Sequence, residues 1–295
     1  MRLVDYSDSS ESEEGRGEDE AAALPPLPAS FLDQYSSAVR GSVRDDPSLH
    51  GGRQRITPHV EGNWPSHVYL EWHPQSKEAA HLHNLLTHLQ QTTPQHQIHS
   101  LLQTPLGAPQ PLHISLSRPL TLKTPQKDPF LTHLRNTISS SNISQFSARL
   151  GDLTWHPNES GARWFLVLRC LQGGDSEMTK VLAICNSVAE GFDQPLLYHD
   201  HDENGDGQST KTPGVEGKFH ISIAWSLQAP ALSTGPGPGQ AKHMGIPIEG
   251  QGAVPQQLLD VLASLQIHFD QVKIRIGQDV HFIPLRARRR SNIDA

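Results

Sequence analysis

The sequence predicts an α+β protein built from two pseudo-symmetric lobes, each an antiparallel sheet with helices on its outer face, around a central cleft. Three observations carry this prediction. Strand-like runs with apolar residues at alternate positions are interleaved with amphipathic helical stretches from about residue 67 to residue 285. The pattern His-x-Ser occurs twice on apolar strands, as HISLS at 113–117 and HISIA at 220–224, so that His220 follows His113 by 107 positions. Each copy sits in a similar set of strands and helices, which reads as an internal duplication.

The elements follow in order. HVYLEW at 67–72 places Val68, Leu70 and Trp72 on one face of a strand, and an amphipathic helix spans about 76–91. A proline-interrupted segment leads to the strand LHISLS at 112–117, followed by a helix near 128–140. Two long strands, 145–156 and 163–170, are parted by the turn PNESGA, and a helix covers about 177–190. LLYHD and a Gly/Asp-rich loop precede the strand KFHISIAWS at 218–226. The chain ends with a helix at 254–267 and the strands FDQVKIRIG and DVHFIPL, before the basic run RARRRS.

Composition sets the domain organisation. With 295 residues and 35% hydrophobic content the chain has material for a real core. Residues 1–48 read as a disordered acidic, serine-rich leader and linker, 49–286 as the bilobal domain, and 287–295 as a basic tail. Flexible insertions are expected at about 201–217 and 227–253, the second containing STGPGPGQ. Residues 1–30 hold eight acids against Arg2 and Arg16, a balance of −6 that leaves −1 of the total of −7 for everything else. The main body therefore lacks the whole-surface basic footprint of a general nucleic-acid binder, although a local basic groove is compatible with it. No stretch approaches the roughly 20 apolar residues of a membrane span. The acidic start is unlike a secretory signal, so neither secretion by that route nor membrane integration is expected. Cys170 and Cys185 lack CxxC spacing and read as buried free thiols.

Two features invite a metal and fail on their ligands. His81, His83 and His88, with His96 and His99, cluster on and after the first helix, but no HExxH and no acidic third ligand accompany them. Asp200, Asp202, Asn204 and Gly205 open a calcium-loop frame, yet its twelfth position is Lys211 where a bidentate Glu belongs. Neither a metal nor another cofactor is expected.

The paired motif is different. On a strand, residues i and i+2 share a face, so His113 projects with Ser115 and His220 with Ser222. Packed about a pseudo-twofold axis, the pairs bring two imidazoles and two hydroxyls to one anion. Cleaving an RNA phosphodiester through its own 2′-hydroxyl needs one group to take that proton and one to protonate the departing 5′-oxygen. Two groups of unperturbed pKa about 6.5 supply both near neutral pH. The serines would donate to the non-bridging oxygens and steady the growing charge. This chemistry requires no metal.

These motifs resemble those of the 2H phosphoesterase superfamily. More narrowly, HGGRQRITPHVEGNWPSHVYL (50–70), PLHISLSRP (111–119), KFHISIAW (218–225) and VKIRIGQDVHFIPL (272–285) are similar to the U6 small nuclear RNA phosphodiesterase family, as is the acidic start LVDYSDSSESEE. The resemblance implies a 3′–5′ exoribonuclease that trims the oligouridine tail of U6 RNA and leaves a 2′,3′-cyclic phosphate or a 3′-phosphate. His220 would be the general base and His113 the general acid, roles that exchange when a cyclic phosphate is opened, with Ser115 and Ser222 orienting the phosphate. Tyr198 matches the family tyrosine that stacks on the terminal base, and Ile114, Lys218, Phe219 and Ile221, which flank the motif residues, are expected to contact substrate. The chain departs from the family between Asp200 and Lys218, where it carries HDENGDGQSTKTPGVEG in place of a few residues. The implied partner is the RNA 3′ end, with contacts to spliceosomal ribonucleoprotein, and the implied state is a nuclear monomer. Two rival readings stand beside this one: the same scaffold acting on a cyclic nucleotide or a 2′,5′-linked oligonucleotide, and a non-catalytic RNA-binding adaptor.

Overall fold

The computed structural model describes residues 60–94, 96–158, 161–171, 176–199, 217–227, 246–247 and 254–288. The acidic leader, the two insertions except Gly217, Leu227, Ile246 and Pro247, the calcium-loop frame and the end of the basic tail lie outside the described residues.

Among the described residues eleven strands form one antiparallel sheet, and its order shows how the two lobes meet. The strands are β1 (Asn63–Trp72), β2 (His99–Ser100), β3 (Leu112–Ser115), β4 (Leu120–Lys123), β5 (Phe146–Pro157), β6 (Trp164–Leu171), β7 (His220–Ser226), β8 (Ile246–Pro247), β9 (Gln266–Phe269), β10 (Gln271–Ile276) and β11 (Asp279–Pro284). The main path runs β11-β10-β1-β3-β7-β6-β5-β8, with β4 on β1, β2 on β7 and β9 on β5. The motif strands β3 and β7 are direct neighbours, with Ile114 opposite Ile221. The sheets of the two lobes are thus continuous, and the C-terminal hairpin β10–β11 completes the sheet of the N-terminal motif.

Among the described residues four α-helices pack on one face of this sheet: α1 (Ser76–Thr92), α2 (Lys127–Ser140), α3 (Glu177–Glu190) and α4 (Gln256–Ser264). In α1 the buried set Leu82, Leu85, Leu86 and Leu89 follows helical spacing, and the backbone N–H of Gln75 donates to Glu78 at 2.7 Å, one arm of a capping box. In α3 the Ser176 hydroxyl accepts from the Thr179 backbone N–H, and Met178, Val181, Leu182, Cys185, Val188 and Ala189 face inward. These side chains join Val68, Leu70, Ile114, Leu168, Ile221, Ile223 and Ile274 of the strands in one core. Each strand therefore spends alternate residues on the core and leaves the others for the opposite face.

The structure corrects several boundaries. β1 starts at Asn63, four residues before the expected strand, because Pro65 and its neighbours pair with β4, which the sequence reading did not include. The last helix stops at Ser264 instead of 267. Leu265 is already extended (φ −71°, ψ 136°), and Gln266–Phe269 alternates exposed and buried as β9. Both cysteines are free and buried, and desolvation pushes each thiol up to about 12.

Candidate active site

The face opposite the helices carries the polar residues of the central strands. Because Ile114 and Ile221 oppose each other and point into the core, His113 and Ser115 on β3 and His220 and Ser222 on β7 project from the other face. The structure thus brings all four expected motif residues to one surface. Register then adds residues that sequence reasoning missed. On β1, Glu71 lies opposite His113 and Tyr69 opposite Ser115. On β10, Arg275 lies opposite His67 and Lys273 opposite Tyr69. On β6, Arg169 lies opposite His220.

His67 Nε2 and Ser115 Oγ are 3.2 Å apart, a hydrogen bond between β1 and the first motif. The His67 ring stacks on Tyr69 with centroids 5.4 Å apart, and both rings meet His113 edge-on, at 5.4 and 5.8 Å. Glu71 is held by Lys273 and by His73 Nε2, the latter at 2.6 Å. Burial alone would raise the Glu71 pKa, but the hydrogen bonds and charges of Lys273 and His73 outweigh it and hold the carboxyl below its ordinary range.

The second motif is anchored through one carbonyl. His220 Nδ1–H donates to the Lys218 carbonyl at 2.8 Å, and the Tyr198 hydroxyl donates to the same oxygen at 2.8 Å. A carbonyl only accepts, so in the neutral imidazole the proton sits on Nδ1 and Nε2 carries the free lone pair. His156 on β5 stacks parallel to His220, with centroids 5.8 Å apart and planes 7° from parallel.

Four histidines of this face are held below the ordinary imidazole range. Desolvation is the largest cause for each. It lowers His67 to about 3, with the charges of His113 and Arg275 acting the same way and a hydrogen bond to the Ser117 backbone opposing them. It lowers His156 to about 4, with His220 and Arg169 adding to it. His113 is lowered by desolvation, His220 and Arg275 while Glu71 pulls it upward. His220 is lowered by desolvation and Arg169, against the bond to Lys218.

Three expected substrate contacts need correction. Ile114, Phe219 and Ile221 are 0%, 2% and 0% exposed, with side chains in the core on the side away from the motif hydroxyls, so none reaches substrate with its side chain. Their task is to set the register. Lys218 contributes the carbonyl that orients His220. Tyr198 stands half-buried beside Phe219, edge-on at 5.8 Å, with left-handed backbone (φ 58°) and its hydroxyl behind the second motif. The helical histidines do not converge: among the described residues no group of three or more His, Cys, Asp or Glu side chains is arranged to hold a metal ion.

Two His-x-Ser strands run side by side on one antiparallel sheet of an α+β protein. The comparisons with known proteins are specific: the chain belongs to the HVSL family, described as an uncharacterised conserved protein, whose model matches residues 25–284. It is 37% identical over 235 residues to U6 snRNA phosphodiesterase 1 of Neurospora crassa, a match that spans 72% of this chain and 61% of that protein. It is 26% identical over 261 residues to the Bos taurus protein of the same name and 24% identical to the Homo sapiens one, each match covering 88% of this chain and 84% of the relative. Among solved structures, Kluyveromyces marxianus Usb1 with uridine monophosphate aligns with a TM-score of 0.55 at 16% identity, over 75% of this chain and 98% of that chain. The likeness extends to the α+β fold and its curled antiparallel sheet.

Proposed function

We propose that this chain is a metal-independent RNA phosphodiesterase, a 3′–5′ exoribonuclease that trims the oligouridine tail of U6 small nuclear RNA and leaves a 2′,3′-cyclic phosphate or a 3′-phosphate. The observation that carries the reading is the pairing of β3 with β7, which sets His113, Ser115, His220 and Ser222 on one face. The names of the curated relatives support the substrate.

His220 is the base. Its Nδ1–H is committed to Lys218, so Nε2 takes the 2′-hydroxyl proton as that oxygen attacks phosphorus. The bond to the 5′-oxygen breaks, and His113, in its protonated form, delivers a proton to the leaving oxygen. Ser115 and Ser222 donate to the non-bridging oxygens and keep the attack in line, while Arg275 and Arg169 add positive charge from the flanking strands. Opening the cyclic product reverses the two proton transfers. Tyr198, half-buried beside Phe219, stacks on the terminal base. The enzyme works as a monomer in the nucleus, where its substrate is made, and meets spliceosomal ribonucleoprotein there.

The test is incubation in EDTA with an RNA ending in several uridines and a free cis-diol, followed by mass analysis. Stepwise shortening from the 3′ end that is lost in both His113→Ala and His220→Ala is the expected result. Cleavage that survives either substitution refutes the two-histidine mechanism.

A further inference from the structure

The polar face continues past the first motif across the strand order β3-β1-β10-β11. Glu71 on β1 is the cross-strand partner of His113 on β3, and Lys273 on β10, one strand further out, donates to the Glu71 carboxylate. The Lys273 ammonium also stands 5.0 Å from the ring centroid of Phe282, its own partner on β11, so it hangs on the side of the carboxylate away from His113. Both charged side chains are only 13% exposed. Removing two charges from water costs desolvation that apolar side chains of the same size would avoid, so stability alone gives little reason for the pair. Packing gives none, because Leu70, Val272 and Ile274 already anchor these strands in the core.

We propose that Glu71 is the positioning residue of the general acid: its carboxylate, fixed by Lys273 and His73, favours the protonated form of His113 until the leaving 5′-oxygen takes the proton. This rests on the reading of His113 as the acid in the proposed phosphodiesterase. Glu71 has no proton transfer of its own in this role and acts only through the imidazole beside it.

Strand order decides the sign of the effect. Neighbouring strands lie about 4.8 Å apart, so the carboxylate is about one spacing from the imidazole and the ammonium about two. Coulomb energy falls inversely with distance, so the ammonium cancels about half of the effect of the carboxylate, and the pair presents a net negative field to His113. The other titratable groups facing His113 among the described residues are His67 and Tyr69 from β1, Arg275 from β10 and His220 from β7. None of these is an anion, since burial raises the Tyr69 pKa and keeps its hydroxyl protonated. Glu71 accordingly draws the His113 pKa upward against burial, His220 and Arg275. His220 has the opposite setting, with Arg169 as its cross-strand partner.

The test compares kcat/KM for two uridine-ended RNAs that differ only at the last linkage, one with the natural 5′-oxygen and one with sulfur in its place. Sulfur leaves phosphorus as a thiolate and needs no proton from an acid. Wild type cleaves both RNAs, and His113→Ala cleaves only the sulfur one. Glu71→Gln keeps the size of the side chain and removes its charge. At neutral pH it lowers cleavage of the oxygen RNA by on the order of tenfold, the effect of one pKa unit on the acid, and leaves the sulfur RNA within about twofold of wild type. The pH optimum of Glu71→Gln on the oxygen RNA moves down, because the acid now loses its proton at lower pH, whereas Lys273→Met removes the opposing cation and moves the optimum up. Equal losses on both RNAs, no loss on either, or shifts of the two variants in the same direction overturn the role of Glu71 and leave the phosphodiesterase reading intact. If His113→Ala loses both RNAs alike, the acid assignment falls and the role of Glu71 with it. A wild-type chain that cleaves neither RNA overturns the parent reading itself.

Discussion

His67 is the residue whose replacement separates positioning from proton transfer. Its Nε2 lies 3.2 Å from Ser115 Oγ, and its ring abuts Tyr69 and His113. His67→Phe keeps a flat ring between those neighbours and removes the polar partner of the serine together with the ring's hydrogen bond to the Ser117 backbone. One hydrogen bond contributes about 1 kcal/mol, so if the serine is aligned through it kcat falls roughly fivefold with KM little changed. With a pKa pushed down to about 3, the imidazole is neutral throughout the working range, and the pH limbs of kcat/KM stay where they are. The assay is steady-state cleavage of a uridine-ended RNA by wild type, His67→Phe, Ser115→Ala and the double variant. The two losses overlap, and the double variant is no slower than Ser115→Ala alone. Additive losses, or a moved pH limb, would refute the argument that His67 acts through Ser115.

The remaining expectations follow from the same geometry. Both imidazoles of the proposed catalytic pair are held below the ordinary range, so the pH profile of kcat/KM, which reports the free enzyme, has its optimum on the acid side of that for an unperturbed pair; an optimum above about 7.5 contradicts the proposed pair. His67 and His156, lowered to about 3 and about 4, take up protons more readily in the unfolded chain. Stability therefore rises with pH between roughly 4 and 6.5 and is lost as pH falls through that window, measurable by denaturant titration at several pH values. Gly277 has φ +63°, and an added Cβ would lie 2.7 Å from Trp64 Cε3, so Gly277→Ala destabilises by more than about 1 kcal/mol and lowers the melting temperature.

The strands that carry the chemistry were legible because each strand of this protein divides its residues between core and cleft. In LHIS and in HISI at the start of β7 the alternation of buried and open positions is visible directly, and it puts the two members of each His-x-Ser pair on a common face. What alternation leaves open is the neighbour. His67, Tyr69 and Glu71 alternate with Val68, Leu70 and Trp72 as plainly as the motif residues do, and Lys273 and Arg275 alternate with Val272, Ile274 and Ile276. Their membership of the site depends on β1 lying between β3 and β10, a pairing between strands about 200 residues apart that no local pattern encodes. The same limit explains Ile114, Phe219 and Ile221: nearness in sequence to a catalytic histidine suggested contact, whereas strand geometry turns alternate side chains to the opposite side. The error in α4 has a local cause, since the apolar spacing of Leu258, Leu259 and Leu262 runs on into Ile267 and masks the change of period from helix to strand.

The suppressed basicity of the site and its positive neighbours belong to one arrangement. The chain carries −7 overall, yet Arg275, Arg169 and Lys273 stand on the strands beside the motifs, with Glu71 as the acid on the same face. Without an anion, His113 and His220 each feel desolvation and a flanking arginine, and both are disposed to be neutral. Two neutral imidazoles supply a base and no acid. A phosphodiester bound between Ser115 and Ser222 brings a negative charge to the place where those positive charges converge, which favours protonation of the histidine with the carboxylate behind it. That histidine is His113, opposite Glu71, whereas His220 has Arg169 as its cross-strand partner. Under the proposed mechanism the asymmetry between β1 and β6 gives the two copies of one motif different roles: substrate charge loads the proton onto His113, and the carbonyl of Lys218 keeps Nε2 of His220 free to receive one.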